Sequence, residues 1–284
     1  MMTRRKFLKS SAAALPVMAI NSTHLWAAEP IPLGVQLYTV RGMAEKDLPA
    51  TLKQIRAIGY DEVELYGGGY GRPADKLRAI IHDAGLRAPS GHFAYDSLPG
   101  KLGYAQQLGL KWVVCPMLPH SLWTLDGFRA AAKQFNAVGR RAQDMGMRFA
   151  FHNHDYEFRD YGGGKSGYDV LVEETDPAHV FFELDCYWAA QAGRDPLKML
   201  RRMGKRIRLL HLKDRKPGFP PSFDMGPSSG HFAPVGEGSI AWKPILDEAQ
   251  RLAVEHYFVE QDNTYGHPIA SIRASYRYLR PLLP

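Results

Sequence analysis

The stretch LDGFRAAAKQFNAVGRRAQDMGMRFAFHNH, Leu125 to His154, changes its period part-way along. From Leu125 to about Met145 apolar residues recur at helical spacing, as in Phe128, Ala131, Ala132, Phe135, Val138 and Ala142. Gly146 supplies the left-handed residue that closes a helix, and the next residues alternate as a strand does. Along that strand Ala150, His152 and His154 share one face, and Phe149, Phe151 and Asn153 share the other. Helix, glycine, strand is therefore the unit, and this copy ends by turning two imidazoles to the same side.

The unit recurs along the chain. PLGVQLY (Pro32–Tyr38) precedes a helix over Leu48–Ile58 closed by Gly59, and YDEVELY (Tyr60–Tyr66) precedes one over Pro73–Ala84 closed by Gly85. LRAPSGH (Leu86–His92) leads to Leu98–Leu108 and Gly109, and KWVVCP (Lys111–Pro116) leads to the long helix above. Beyond His154 follow Gly167–Glu174, HVFFELDCYW, Pro196–Met203, RIRLLHLKD, Trp242–Leu252, HYFVEQD and a last helix over Pro268–Leu279. Eight strand-helix units with no spare domain predict one α/β domain, a closed (β/α)₈ TIM barrel over residues 29–284. An open doubly wound sheet is the competing fold. It calls for a glycine-rich phosphate loop after the first strand, where this chain has YTVRGMAEKD.

Residues 1–28 read differently. Arg4 and Arg5 precede Phe7-Leu8-Lys9 and a short Ala-rich run to Ile20, and Thr3 to Lys9 resemble the twin-arginine export pattern. The expectation is a signal peptide over 1–28, cleavage near Ala27 or Ala28, and export in the folded state to the periplasm or beyond. Without Arg4, Arg5, Lys6 and Lys9 the formal charge falls from +7 to +3, since no acid leaves with them. A near-neutral domain argues against a nucleic-acid partner. Cys115 and Cys186 make no disulfide framework, so the core must hold the fold.

In a barrel of this kind chemistry sits where strands end. Those positions are Glu64, His92, Cys115, His152, His154, Glu183, Asp185, His211, Lys213, Glu260 and Asp262. Imidazoles and carboxylates crowd the last four strands, a mixed nitrogen and oxygen donor set that suits a divalent transition ion better than Ca²⁺.

Seven segments in order, GVQLYTVR, GYDEVELYG, HNHDYEF, FELDCYWAAQAGRDP, LLHLKD, PVGEGSIAW and FVEQD, resemble the xylose-isomerase-like barrel of sugar isomerases and epimerases, close to proteins described as sugar phosphate isomerase/epimerase. The resemblance implies one metal held by a Glu, an Asp, a His and a Glu on strands five to eight. Asp185, His211 and Glu260 match; His152 stands where the ketose epimerases carry the strand-five Glu. His152, Asp185, His211 and Glu260 are therefore the expected ligands of one divalent ion, Mn²⁺ first, with Zn²⁺, Co²⁺ or Fe²⁺ as alternatives. Loss of one carboxylate removes a base for two-sided proton transfer.

The implied activity is a metal-dependent sugar isomerase or epimerase acting through an enediolate, with a 3-keto-glycoside lyase or hydratase as the alternative fate of the same intermediate. A non-catalytic periplasmic sugar-binding protein is the third possibility. Glu260 is the expected base, and His154 or Lys213 the acid. His92, Glu157 and Trp188 are expected to hold the substrate, Glu157 with a salt bridge or loop hydrogen bond as its alternative role, and Trp188 as a floor for a sugar face with core packing as its alternative. Glu183 is expected deeper than Asp185, in a salt bridge, and Lys213 either in the chemistry or paired with Asp214 or Glu183. Glu237 is expected to fix a turn, and Gly162-Gly163-Gly164 to form a mobile loop over the rim. The partner expected is a small carbohydrate, with no membrane once the signal is removed and with homo-oligomerisation left open.

Overall fold

The computed structural model describes residues 31–67, 71–225 and 230–283. The expected signal peptide lies outside the described residues. Strands β1 (Leu33–Gln36), β2 (Glu62–Leu65), β3 (Arg87–His92), β4 (Trp112–Cys115), β5 (Arg148–His152), β6 (Val180–Asp185) and β7 (Ile207–Leu212) are followed by a short pair, β8 (Asp214–Arg215) and β9 (Phe232–Ala233), and by β10 (His256–Val259). All but the short pair close a parallel barrel in the order β1-β10-β7-β6-β5-β4-β3-β2. The expected (β/α)₈ fold is what the chain adopts. Helices α1 (Arg41–Ala44), α2 (Leu48–Ile58), α3 (Ala74–Asp83), α4 (Leu98–Leu108), α5 (Leu125–Asp144), α6 (Gly167–Glu174), α7 (Cys186–Gln191), α8 (Pro196–Met203), α9 (Trp242–Arg251) and α10 (Pro268–Leu279) supply the outer layer.

Local chemistry starts these helices where they start. The Asp47 carboxylate accepts the Ala50 N–H to open α2, Thr124 accepts the Gly127 N–H to open α5, and Asp195 accepts from Leu197 and Lys198 to open α8. Each satisfies a donor that the first helical turn leaves free.

Three layers fill the barrel. At the strand starts Glu255 binds Arg148, Arg208 and the Trp112 indole N–H, and Glu62 pairs with His256 and Arg87. Trp112, Val114, Ala150, Leu209 and Phe258 form an apolar plug above them. A Cβ on Gly34 would come within 2.4 Å of the Phe258 ring, so β1 is bare there to admit the plug. The polar layer at the strand ends rests on this plug.

Register decides which polar residues meet. His152 stands opposite Glu183 across β5 and β6, Asp185 opposite His211 across β6 and β7, and His211 opposite Phe258 across β7 and β10. Glu260 lies two residues beyond Phe258, so strand tilt stacks the ligand-type residues in rising steps.

Just past β7, the buried Asp214 carboxylate accepts the N–H groups of Arg215 (2.8 Å), Gly236 (2.9 Å), Gly238 (3.3 Å) and Ile240 (3.2 Å) and the Trp242 indole N–H (2.8 Å). It thereby ties the PVGEGSIAW segment under the rim. A Cβ on Gly238 would lie 2.1 Å from its Oδ1, which explains the glycine. The turn expected of Glu237 is present, but Asp214 fixes it and Glu237 is exposed. The Gly162–Gly164 loop is also closed rather than draped over the rim. Asp160 accepts from Gly162 and Gly164 and bridges to Ser166, and none of the three glycines lines the cavity.

Candidate metal centre and substrate cavity

Three imidazoles and four carboxylates share the top of the barrel. His152 points Nδ1 at Glu183 Oε2 (3.0 Å) and Nε2 toward Asp185 Oδ2 (3.8 Å). His211 points Nε2 at Glu64 Oε2 (2.6 Å) and Nδ1 at Glu260 Oε2 (2.9 Å), with Asp185 Oδ2 at 3.9 Å. His152 and His211 thus each have one nitrogen tied to a deeper carboxylate and the other turned to the outer pair, Asp185 and Glu260, whereas His92 points Nε2 at both deeper carboxylates, Glu183 (2.8 Å) and Glu64 (3.1 Å). A carboxylate on the far nitrogen fixes the tautomer and leaves the near nitrogen free to donate to a metal.

The outer donors fit such an ion. Asp185, His211 and Glu260 converge with donor atoms within 4.8 Å of one another, and His152 faces Asp185. Asp185 Oδ2 is buried and accepts no well-aligned hydrogen bond, while Oδ1 accepts the Trp188 N–H at 3.0 Å. Asn153 clips Asp185 from behind, exchanging amide contacts with its backbone N–H (3.1 Å) and carbonyl (3.3 Å). A second grouping, His92, His152, Glu183 and His211, lies within the same limit, but there the Glu183 oxygen already fills the space between the rings.

The expected depth of Glu183 is therefore right, and its partners are the imidazoles rather than Lys213. Burial and the neighbouring Glu64 push its carboxyl up to about 7. Burial alone would raise Glu64, yet the His92 and His211 rings outweigh it and hold Glu64 ionised. For His92 burial opposes charge, but Glu64 and Glu183 raise the ring to about 9. His152 is driven down by burial and by its imidazole neighbours. Burial opposes charge on His211 too, but Glu183 and Glu260 raise that ring well above the usual imidazole range. The metal-free site thus holds a neutral His152 and a protonated His211 whose proton an incoming ion displaces. Glu183→Ala should weaken Mn²⁺ or Zn²⁺ binding by roughly 10- to 100-fold while the barrel still folds. Titration of the metal-free variant checks this, and unchanged affinity would leave Glu183 without an orienting role.

Lys213 Nζ lies 3.0 Å from Asp185 Oδ2, 2.7 Å from Glu260 Oε2 and 2.9 Å from Asp262 Oδ1. The expected pairing with Asp214 or Glu183 is corrected accordingly. Burial disfavours the ammonium, but these three carboxylates raise it well above the usual lysine range. They leave it a fixed charge, able to stabilise an oxyanion and unsuited to releasing a proton. Glu260 is held ionised against burial by Lys213 and His211.

A cavity of about 690 Å³ opens above this floor, lined by His92, His152, His154, Trp188, Lys213, Glu260 and Asp262 below and by Tyr38, Arg41, Tyr66 and Met117 nearer the mouth. His154 belongs to the wall, and burial followed by the Lys213 charge lowers it to about 3, so it is a neutral hydrogen-bonding group. Trp188 lines the cavity but is 4% exposed, with the Lys213 ammonium 5.3 Å from its ring centre and Phe232 against its edge. It is a wall more than an open sugar platform.

Glu157 does not reach the cavity. It is fully buried, its Oε2 accepts the His154 backbone N–H at 2.9 Å, and it is absent from the lining. The chain leaves β5 after His152 and winds into a short 3₁₀ turn, Tyr156–Phe158, so strand alternation no longer predicts where residue 157 points. Sequence alternation also missed Arg41, Tyr38 and Tyr66 at the mouth, and the ring-orienting work of Glu64 and Glu183. Glu183 carried a signal in sharing the inner face with Asp185.

Asp155, beside Glu157, is fully buried, and burial pushes its carboxyl up to about 7, with Arg159 easing the cost. Its folded value thus lies above the unfolded one near ~3.9, so its contribution to stability falls as pH rises between the two. Asp155→Asn should raise the melting temperature at about pH 8 by a few degrees, and by less at about pH 5. Equal shifts at both pH values would contradict the assignment.

Comparison with known proteins agrees with the barrel fold. The sequence profile described as xylose isomerase-like TIM barrel matches residues 52–282. The chain belongs to that family. Among curated relatives, the inosose dehydratase of Lacticaseibacillus casei is 28% identical over 174 residues, covering 57% of this chain and 56% of the relative. That of Geobacillus thermodenitrificans is 30% identical over 158 residues, 51% of each. The chain spans about half the length of the curated relatives it matches. A sugar phosphate isomerase/epimerase from Parabacteroides distasonis superposes with TM-score 0.75 at 23% identity, over 91% of this chain and 99% of that one. IOLI protein with a bound zinc atom gives 0.69 at 14%, over 89% and 98%. For this xylose isomerase-like barrel, the structural matches establish the fold.

Proposed function

We propose that this xylose isomerase-like barrel is a divalent-metal-dependent lyase of the dehydratase kind, acting on an uncharged polyhydroxylated ketone of the sugar class. The observation that carries this reading is the placement of the carboxylates on the cavity. Glu260 and Asp262 both follow β10, whereas His92, His152 and His154 line the cavity from β3 and the end of β5. A base on one side suffices to remove a proton next to a carbonyl and let a neighbouring group depart. Epimerisation with a carboxylate on each face lacks its second carboxylate. The dehydratase names of the curated relatives support the same choice.

His152, Asp185, His211 and Glu260 would hold the ion, which when bound polarises the substrate carbonyl as a Lewis acid. Glu260 takes the proton from the adjacent carbon on Oε1, since its contacts to His211 and Lys213 both use Oε2, and returns it to the departing hydroxyl, which leaves as water. Lys213 keeps its proton and steadies the negative charge that develops on oxygen. His154, neutral, binds a substrate hydroxyl. Among the described residues of the cavity, Lys213 is held by three carboxylates and the Arg41 donors are engaged by the carbonyls of Tyr38 and Asp262, which favours an uncharged substrate over a phosphate. The twin-arginine pattern of Thr3 to Lys9 supports, within the same proposal, a site of action outside the cytoplasm.

The test is a panel of keto-sugars and cyclic polyhydroxy ketones with Mn²⁺-loaded protein in heavy water. The expected products are unsaturated ketones, lost on adding a chelator. Exchange of the carbon-bound proton without departure of a group would instead establish the isomerase or epimerase reading. Binding with neither event would leave a sugar-binding protein.

A further inference from the structure

Lys213 and a divalent ion call on the same oxygens. Its ammonium is 1% exposed and touches Asp185 Oδ2 and Glu260 Oε2, the two atoms that also stand beside His211 Nδ1. Asp262, its third partner at 2.9 Å, belongs to neither metal-type grouping. Beyond the carboxylates lie the rings of Trp188 at 5.3 Å and Phe232 at 6.0 Å, faces that favour a cation.

We propose that Lys213 is a built-in competitor for the metal: its ammonium neutralises Asp185 and Glu260 in the metal-free chain and shifts onto Asp262 and the Trp188 face when the ion enters. The inference rests on the metal centre proposed above and adds what sets its affinity. Asp185 and Glu260 face a cation in both states, the ammonium without metal and the ion with it, so they never stand buried without a counter-charge, which is a costly condition. The exchange also keeps a positive charge at the reacting centre after the ion has bound, directed from Asp262.

Two substitutions should act in opposite directions. Lys213→Met keeps the bulk of the chain and removes the charge, so it lowers the melting temperature of the metal-free protein. It also tightens Mn²⁺ or Zn²⁺ binding by roughly tenfold or more, because repulsion between the ammonium and the ion is gone. Asp262→Asn removes the seat to which the ammonium retreats, so it weakens binding by roughly threefold or more although residue 262 is not a ligand.

The experiment is calorimetric titration of the metal-free full chain with Mn²⁺ and with Zn²⁺, in competition with a chelator, for wild type and both variants. Melting temperatures with and without Mn²⁺ are measured alongside, and the gain on adding metal should be largest in Lys213→Met. Equal or weaker binding by Lys213→Met, or unchanged binding by Asp262→Asn, overturns the proposal and leaves the metal-enzyme reading standing. If Lys213→Met cannot be obtained without metal, Asp262→Asn decides alone. Binding by Lys213→Met but not by wild type would uphold the competition and sink the metal-dependent activity of the natural chain. Binding by neither would end both.

Discussion

Glu260→Gln should lower turnover by about 10³-fold or more at saturating metal, with the melting temperature little changed. The substitution keeps the volume and one oxygen acceptor but removes the one carboxylate, among the described residues of the cavity, that both touches His211 and carries an oxygen free of the Lys213 contact. A general base typically contributes about 10²- to 10⁴-fold, and the same group is a proposed ligand, so the loss should lie toward the upper part of that range. Metal content measured on the same sample separates the two contributions. Full occupancy with lost turnover marks the base, whereas restoration by excess Mn²⁺ marks a ligand role only. Turnover within tenfold of wild type would remove Glu260 from the chemistry.

Asp214→Ala should produce the largest loss of stability, about 3–5 kcal/mol. The carboxylate is fully buried and receives four backbone N–H groups and one indole N–H, which alanine would leave without a partner. At about 2–4 °C per kcal/mol for a chain of this size, the melting temperature should fall by roughly 10 °C. Asp214→Asn keeps one carbonyl oxygen and should fall between. Because Asp214 pairs with Ala233, next to the cavity residue Phe232, substrate binding should weaken as well. A fall of less than about 2 °C would show that the loop is held by other contacts.

The barrel was legible because local signals agree with one another. The helices Leu48–Ile58 and Leu98–Leu108 occupy the bounds that their spacing and closing glycines predict, and Asp47 adds a cap to the first. Strands came out shorter than their apolar runs. β1 stops at Gln36, whose side chain accepts the Tyr38 N–H and donates to Glu64, while Leu37–Val40 turn into a 3₁₀ coil. At the site, strand alternation brought His152, Asp185, His211 and Lys213 to the inner face, with Glu260 following β10, and the structure gathers all five. Ring orientation was not legible, because which nitrogen meets which carboxylate depends on register between strands distant in sequence, such as His152 against Glu183. Of the two roles expected of Glu157, the resemblance suggested the substrate contact, and the chain makes the other, a loop hydrogen bond from the His154 N–H.

The contact between His152 and Glu183 also bears on how such a site can change by mutation. Glu183 Oε2 sits 3.0 Å from the His152 ring and 2.8 Å from that of His92. A glutamate at 152, the residue the ketose epimerases carry, would set a second buried carboxylate against the first, and like charges at that range cannot both ionise cheaply. The single step His152→Glu is therefore a valley, passable only if position 183 changes first or together with it. Residues 152 and 183 form an epistatic pair, so variants that recover a second basic carboxylate should be sought in double-mutant libraries, and scanning either position alone will undervalue both.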